Sequence, residues 1–285
     1  MLVDTRPTTF DELIRISGLS HGTDVWLGNA QSLIEAGTVT LQDAICCRDD
    51  IMIYLIKQGL PPNPAFKIME TVRKGKALKD PQKWAEYVAL MKEHDVPDWY
   101  IKSCEKIKYM FPKAHAAAYV TNAFRIAWFK VHEPLAYYAA YFSIRADEFD
   151  SEYMIFGKEK VKNKMKEIDL EGNAATVKDK NMYAILELVL EMYERGFEFL
   201  PIDIYQSHST KFLVEEEGIR PPLNSIPGLG TVAAQGIEKA REEGKFMSID
   251  DLKIRSKVGT SVTDLLKKFG CLEGMSQSNQ MSLFG

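Results

Sequence analysis

Two glycines flank a leucine at Gly228-Leu229-Gly230, directly before a stretch from Thr231 to Glu243 that the sequence predicts as a helix. Glycines allow several backbone N–H groups to point at one place, because no Cβ stands in the way. The positive end of the following helix adds to the attraction for an anion. These residues therefore predict a phosphate site. The alternative is a tight turn between two helices, which uses the same glycines.

A second unit of similar design follows. Ser248-x-x-Asp251 and Ser261-x-x-Asp264 are patterns that begin helices, and a short turn lies between the two helices that they open. Two such units in tandem resemble a helix–hairpin–helix module, which holds the backbone of a DNA duplex without reading its sequence. The residues predicted to bind duplex DNA are Gly228, Leu229, Gly230, Thr231, Lys239, Lys257, Gly259 and Thr260.

Basic and aromatic residues alternate between positions 102 and 130. Six basic residues and one acid, Glu105, give this stretch a charge of +5 (six minus one) in a chain whose net charge is −4. Lysine and arginine bind phosphates and aromatic rings stack on bases, so the stretch suits a nucleotide or another polyanion. The alternative is a helix with solvated lysines. The basic residues are Lys102, Lys106, Lys108, Lys113, Arg125 and Lys130, and the aromatic ones are Tyr109, Phe111, His115 and Tyr119.

The C-terminal residues suit a docking peptide. Gln280 is followed by Leu283 and Phe284, an amide ahead of an aliphatic–aromatic pair. A groove on a partner protein can take two apolar anchors and one amide of this kind. The alternative is a flexible end with chance hydrophobic residues.

The residues that are missing also restrict the function. The chain contains no Asp-x-Asp pair and no G-x-x-x-x-G-K-[ST] loop, so it is not expected to be a complete phosphoryl-transfer catalyst or to hold a metal or other cofactor of its own. Its four cysteines show no C-x-x-C spacing, which argues against zinc and disulfides. No run of eighteen apolar residues occurs, so we expect a soluble, cytoplasmic protein without membrane contact.

The periodicity of the 285 residues predicts a mainly α fold with two domains, a helical lobe and a smaller helical lobe with a few short strands. Helices are expected at 81–93 and 113–131, and short strands at 197–204 and 211–214. The second helix carries one apolar stripe, made of Val120, Phe124, Ala127, Trp128 and Val131. The predicted regions are 1–157, helical; 158–180, a basic and polar connector; 181–272, duplex-binding, with the hairpins at about 219–272; and 273–285, a flexible tail.

Long motifs in a fixed order carry a resemblance to a known family. The segments Ile14–Trp26, Tyr109–Tyr119 and Pro221–Gly230, followed by the final Gln-Met-Ser-Leu-Phe, resemble the C-terminal part of PolC-type bacterial DNA polymerase III alpha subunits. The resemblance covers essentially the whole chain. It implies a fingers region up to about residue 150, a duplex-binding region with tandem hairpins, and a tail that binds the sliding clamp.

The resemblance also implies roles for single residues. Tyr109, Lys113 and His115 match the family's Tyr-x-Phe-x-Lys-x-His motif near the incoming nucleotide. Lys113 and Arg125 are assigned to phosphate charge and His115 to a polar contact. Tyr109 and Tyr119 either pack on the base or sugar or belong to the core.

Two further positions bear on the nucleotide site. Ser20 and His21 lie in a predicted polar, glycine-flanked loop, residues 18–23, that either approaches the nucleotide or is a capped turn. Pro112 stands where alpha subunits of the other branch carry Asn, so that contact is not transferred.

The implied partners are primer–template DNA, the incoming deoxynucleotide, the sliding clamp through Gln280, Leu283 and Phe284, and the rest of the polymerase. The palm, with the carboxylates that bind Mg²⁺, lies upstream in the family, so this chain is expected to be a piece of a longer enzyme and inactive alone. Two alternatives stay open: a stand-alone helix–hairpin–helix module that docks on the clamp without polymerase chemistry, and a helical scaffold without a nucleic-acid role.

Overall fold

The computed structural model describes residues 1–145 and 148–278. Within these residues the chain forms fifteen α-helices and one antiparallel sheet of two short strands. The predicted mainly α fold is therefore confirmed.

The chain folds as two compact units, residues 1–125 and 126–285. The limit between them lies earlier than the predicted limit at residue 157. The physical reason is that Tyr138 and Phe142 pack in the same core as helices much later in the chain, so the residues after 125 belong with the second unit.

The first unit consists of helices joined by short turns. Two of its helices start where a side chain provides an acceptor for free N–H groups: Thr9 and Glu12 form a capping box, and the Asp80 carboxylate accepts from the Lys83 N–H at 3.1 Å. The helices are α1 (Leu2–Thr5), α2 (Phe10–His21), α3 (Gln31–Glu35), α4 (Arg48–Lys57), α5 (Pro62–Arg73), α6 (Pro81–Glu93), α7 (Asp98–Lys106) and α8 (Lys113–His132), with a kinked helical turn at Trp26–Ala30. Helix α8 contains the limit between the two units.

Helix α2 packs closely on the loop before α4. A Cβ added at Gly18 would lie 2.7 Å from the Cys46 carbonyl oxygen, so the packing distance requires a glycine there. Cys46 and Cys47 are fully buried in this contact. Burial, together with nearby carboxylates, raises the pKa of Cys47 to about 12, so its thiol stays protonated and unreactive.

The apolar stripe predicted on α8 is covered only in part. Val120 is half-buried. Phe124 is 53% exposed, although its ring lies edge-on to Phe10 of α2, with the ring centres 5.6 Å apart. Further along, Trp128 is 48% exposed and Val131 is 66% exposed. Helical periodicity groups these residues on one face, but it carries no information on whether a packing partner covers that face.

The second unit contains the remaining helices and the sheet. Its elements are α9 (Pro134–Ile144), α10 (Ser151–Met154), α11 (Lys158–Glu171), α12 (Val177–Glu194), β1 (Leu213–Glu215), β2 (Gly218–Arg220), α13 (Thr231–Arg241), α14 (Ile249–Ser256) and α15 (Thr260–Lys268), with 3₁₀ turns at Gly172–Ala174 and Leu223–Ser225.

Two clusters of buried side chains form the core of this unit. The first contains Val161 and Ile168 of α11, so most of the predicted connector is a packed helix. Its lysines at 158, 160 and 166 are exposed. The second holds the hairpin region together through residues such as Leu229 and Leu266.

The strands are shorter and later than expected. Of the predicted strand at 197–204, only Phe199 forms an isolated bridge, with Ile219. The sheet pairs Leu213 with Arg220 and Glu215 with Gly218. The β-branched and aromatic residues before position 205 fill the core instead, which explains the strand-like composition without a strand.

The segment before residue 279 is tied to the start of α14. The Ile249 N–H donates to the Ser276 carbonyl at 2.9 Å, and the Asp250 N–H donates to the Gln277 carbonyl at 3.1 Å. The Ser248 hydroxyl accepts from a third N–H, that of Asp251. The predicted flexible tail from residue 273 is thus bonded to the unit up to Gln277.

A chain that ends at Ser278 should unfold at the same temperature as the full chain, because it keeps these bonds. A chain that ends at Gly274 loses both backbone bonds and the packing of Met275 against the core, and we expect it to be about 2 kcal/mol less stable. Thermal or urea unfolding of the two truncated chains measures the difference. Equal stability of both would show that the tail contributes nothing to α14.

Candidate nucleic-acid interface

Two hairpins in the second unit are built alike. Each has a buried apolar residue, then a glycine as the N-cap of a helix, then an exposed threonine: Leu229-Gly230-Thr231 before α13 and Val258-Gly259-Thr260 before α15. Leu229 and Val258 anchor the turns in the core. The anchoring leaves the helix starts at the surface.

The N–H groups at both helix starts are open. Gly230 and Gly259 have extended backbone conformations, and neither helix has a side-chain cap in the described structure. A Cβ added at Gly230 would meet no described atom within 4 Å, and one at Gly259 would meet only the Ser261 hydroxyl at 3.9 Å. The space in front of the N–H groups is therefore free for an anion, which is the arrangement of a helix N-terminal phosphate site.

Gly228 has a different role from these two glycines. Its φ of +88° is a conformation that side chains disfavour, and a Cβ there would lie 3.3 Å from Leu265 of α15. It shapes the first hairpin and its packing on α15, while Gly230 leaves room for a ligand.

Lysines lie at the second hairpin. The Lys253 ammonium donates to the Thr260 hydroxyl at 3.0 Å, which places its charge at the open start of α15. Lys257 ends α14 in a left-handed conformation, with φ of +58°, and is exposed. The predicted Lys239 instead lies about two turns along α13 from Thr231, away from the first hairpin.

The first hairpin has side chains of both charges beside it. It lines a cavity of about 390 Å³ together with Lys178 and two acids, Glu148 and Asp150. Burial raises the pKa of Asp150, whose carboxylate accepts from the Glu152 N–H at 2.9 Å.

In the first unit, four rings form a row where α2 ends and α8 begins. The ring centres of His21 and Phe111 are 5.2 Å apart, those of Phe111 and His115 4.9 Å, and those of His115 and Tyr119 4.7 Å. Phe111 is half-buried and the other three are exposed. The structure thus brings His21 and His115 together through Phe111, and the exposed rings are able to stack on a base.

Ser20 and His21 belong to a helix, and the prediction of a loop at 18–23 is wrong up to His21. Helix α2 continues to His21 and ends at Gly22. The Ser20 hydroxyl lies 2.9 Å from His21 Nδ1, which is also 2.9 Å from the Ser17 carbonyl oxygen. The side chains of the last helical turn therefore hold the His21 ring at the end of the row.

Lys113 is bonded within the protein. Its ammonium lies 3.2 Å from an Asp11 carboxylate oxygen, and its N–H donates to Asp49 at 2.7 Å. Burial acts to raise the pKa of Asp11, but hydrogen bonds from Arg15 and Lys113 outweigh it and the pKa is lowered. A phosphate that contacts Lys113 must share it with Asp11.

Other basic residues of the 102–130 stretch are also engaged. Lys108 pairs with Asp24 at 2.6 Å, Lys130 pairs with Glu191 at 2.6 Å, and the Lys106 ammonium donates to a backbone carbonyl. These contacts reduce the free positive charge that the residue count suggests. Exposed pairs of this kind exchange readily with a phosphate, because each contributes little on its own.

Tyr109 and Arg125 lie outside the ring row. The Tyr109 carbonyl accepts from the Thr23 N–H at 2.9 Å, and its ring is 43% exposed. Arg125 is exposed, and in the described structure it forms no ion pair with an acid.

The sequence analysis treated Phe111 only as one of several aromatic residues, and it missed Lys253 and Asp150 as neighbours of the hairpins.

Within 1–145 and 148–278, no group of three His, Cys, Asp or Glu side chains is arranged to hold a metal ion. No helix in the same part of the chain has the length and apolar character needed to span a bilayer. The predicted clamp-binding residues Gln280, Leu283 and Phe284 lie outside the described residues.

Comparison with known proteins identifies two regions. Residues 1–95 match the bacterial DNA polymerase III alpha subunit finger domain, and residues 196–282 match the helix–hairpin–helix motif. The two matches support a finger domain and a helix–hairpin–helix motif, while the limits predicted for these regions, 1–157 and 181–272, stay predictions.

Relatives match the whole chain. It is 56% identical to the PolC-type DNA polymerase III of Caldanaerobacter subterraneus subsp. tengcongensis, 58% to that of Oceanobacillus iheyensis and 57% to that of Bacillus subtilis, each over 284 residues. The chain spans 20%, 20% and 19% of the length of these relatives.

The glycines at the hairpins should respond differently to substitution. Gly228→Ala should lower the free energy of unfolding by about 1–3 kcal/mol, because of its positive φ. Gly230→Ser and Gly259→Ser should leave stability unchanged or slightly raised, because serine is a good N-cap and has room at both positions. Urea unfolding of the three variants tests this, and a loss of stability in the serine variants would contradict the open geometry.

Proposed function

We propose that the chain is the finger and duplex-binding part of a PolC-type DNA-directed DNA polymerase that acts in the cytoplasm. It contributes a surface for the incoming nucleotide, a grip on primer–template DNA that is independent of sequence, and a tether to the sliding clamp. The observation that carries the proposal is the pair of open hairpins within the region that matches the helix–hairpin–helix motif.

The hairpins support the duplex grip. Free N–H groups at Thr231 and Thr260 are donors for phosphate oxygens, and the glycine before each leaves space for the backbone of DNA to approach. Contacts of this kind position a duplex but do not distinguish bases, because phosphates are the same at every step. A replicative enzyme needs this property at every position of its template.

The ring row supports the nucleotide surface. His21, His115 and Tyr119 expose rings in a row with the half-buried Phe111, and residues 1–95 match a finger domain. We assign base or sugar contacts to the rings and phosphate contacts to Lys113 and Arg125. Ser20 orients the His21 ring from the same helical turn.

The chemistry of nucleotide addition belongs to another part of the enzyme. Two-metal phosphoryl transfer requires carboxylates that converge on Mg²⁺. The described residues offer no such donor set, so they do not fit the metal, and we assign it to a palm region outside this chain. The chain itself binds and orients, and we expect it to add no nucleotides when alone.

Duplex binding tests the proposal directly. A labelled duplex of random sequence should bind the purified chain with an affinity that falls steeply with salt, because binding releases counterions from phosphates. Gly230→Ser and Gly259→Ser should each weaken binding, by up to about tenfold, the effect of losing one charged hydrogen bond. Fluorescence anisotropy at several salt concentrations measures both effects. Salt-independent or absent binding would leave only a scaffold role.

Clamp tethering has its own test. A chain that ends at Ser278 keeps the bonds to α14 but lacks Gln280, Leu283 and Phe284, and we expect it to lose binding to an immobilised bacterial sliding clamp. Its duplex affinity should be unchanged, which serves as the control for folding. Retained clamp binding would place the docking site elsewhere.

A further inference from the structure

The two hairpins share one backbone design but differ in charge. Leu229-Gly230-Thr231 and Val258-Gly259-Thr260 present equivalent N–H groups and equivalent free space. The side chains around them come from different parts of the chain. A phosphate site depends on both the donors and the surrounding charge, so the two sites are not equal.

The second hairpin has a positive environment. Lys253 reaches the Thr260 hydroxyl at 3.0 Å, so its ammonium already lies at the open start of α15. Lys257 is exposed in the hairpin itself. Neither lysine has a carboxylate partner within 4 Å among the described residues. Both are therefore free to meet an anion held by the N–H groups.

The first hairpin has carboxylates beside it. Asp150 and Glu148 line the same cavity as Gly228–Thr231, with Lys178 as the opposing charge. The segment is fixed in place, because the Ser151 hydroxyl donates to the Ser225 hydroxyl at 2.7 Å in a fully buried contact. Glu148 is partly neutralised by its hydrogen bond from Arg145, whereas Asp150 takes only a backbone N–H.

We propose that the second hairpin is the main phosphate contact of the duplex grip, and that Asp150 weakens the phosphate contact of the first. This inference rests on the proposed function, since it concerns how the same DNA surface is divided. One strong and one weak contact allow the duplex to be released at the first hairpin while it stays held at the second.

Single substitutions that each change the charge by one unit distinguish the contributions of the two hairpins to duplex affinity. Asp150→Asn removes the carboxylate but keeps the helix cap, since asparagine accepts the Glu152 N–H equally well. Lys257→Ala removes one charge at the second hairpin. Lys180→Ala, an exposed lysine of the same unit, is the control for loss of one positive charge. Duplex affinity is measured by anisotropy across a series of salt concentrations, with thermal unfolding of each variant to confirm its fold.

We expect Asp150→Asn to tighten binding about two- to fivefold, as removal of an unfavourable charge predicts. Lys257→Ala should weaken binding and reduce the slope of log affinity against log salt by about 1, while Lys180→Ala leaves the slope unchanged. Gly259→Ser should then weaken binding more than Gly230→Ser.

Two results would overturn the inference. One is an unchanged affinity in Asp150→Asn together with a larger loss in Gly230→Ser than in Gly259→Ser, which would make the first hairpin the main contact while the proposed duplex grip stands. The other is absence of duplex binding by the unsubstituted chain, which removes the proposed function and the inference with it.

Discussion

Backbone N–H groups at the start of a helix need acceptors, and the way each helix meets this need organises the molecule. Thr9, Asp80 and Thr176 supply side-chain oxygens for α2, α6 and α12. The start of α14 takes Ser248 and two carbonyls of the C-terminal segment. The starts of α13 and α15 have glycine in the same position and no side-chain cap in the described structure. Several other helices also lack a side-chain cap, among them α5, α7 and α11, so the missing cap alone does not mark a site. What α13 and α15 share is the same Gly-Thr start, each preceded by a residue that anchors the turn in one core.

In the first unit, local contacts at the ends of helices fix the position of the ring row. Gly18 lets α2 approach the Cys46-Cys47 loop, which fixes the end of α2 where His21 meets Phe111. Asp49 accepts the first N–H of α8, so that helix begins at a defined place beside the same ring. The ring row is therefore a product of helix ends, each held by a separate local contact, rather than of a single binding loop.

The residue types next to each helix start made several helix starts and both hairpins predictable from the sequence. The start of α6 follows from Asp80 and Pro81, and the hairpins follow from glycines placed before amphipathic segments. The sequence also shows Gly-Thr at both hairpins, a repeat that marks Gly230 and Gly259 as equivalent. Contacts between distant residues were not predictable: Asp150 lies about eighty positions before the hairpin that it faces, and the pairing of Lys113 with Asp11 joins residues about one hundred apart. Charge counted along the chain overestimates free charge for this reason.

The bonds between the C-terminal segment and α14 have a mechanical consequence. Gln280 follows Ser278 by two residues in the sequence. Any load applied through a docked C-terminal peptide would reach the protein at the start of α14, where it pulls on the Ile249 and Asp250 hydrogen bonds. Helix α14 leads directly into the turn that contains Gly259. Tension on a tether would thus be transmitted to a DNA-facing turn through a single short helix.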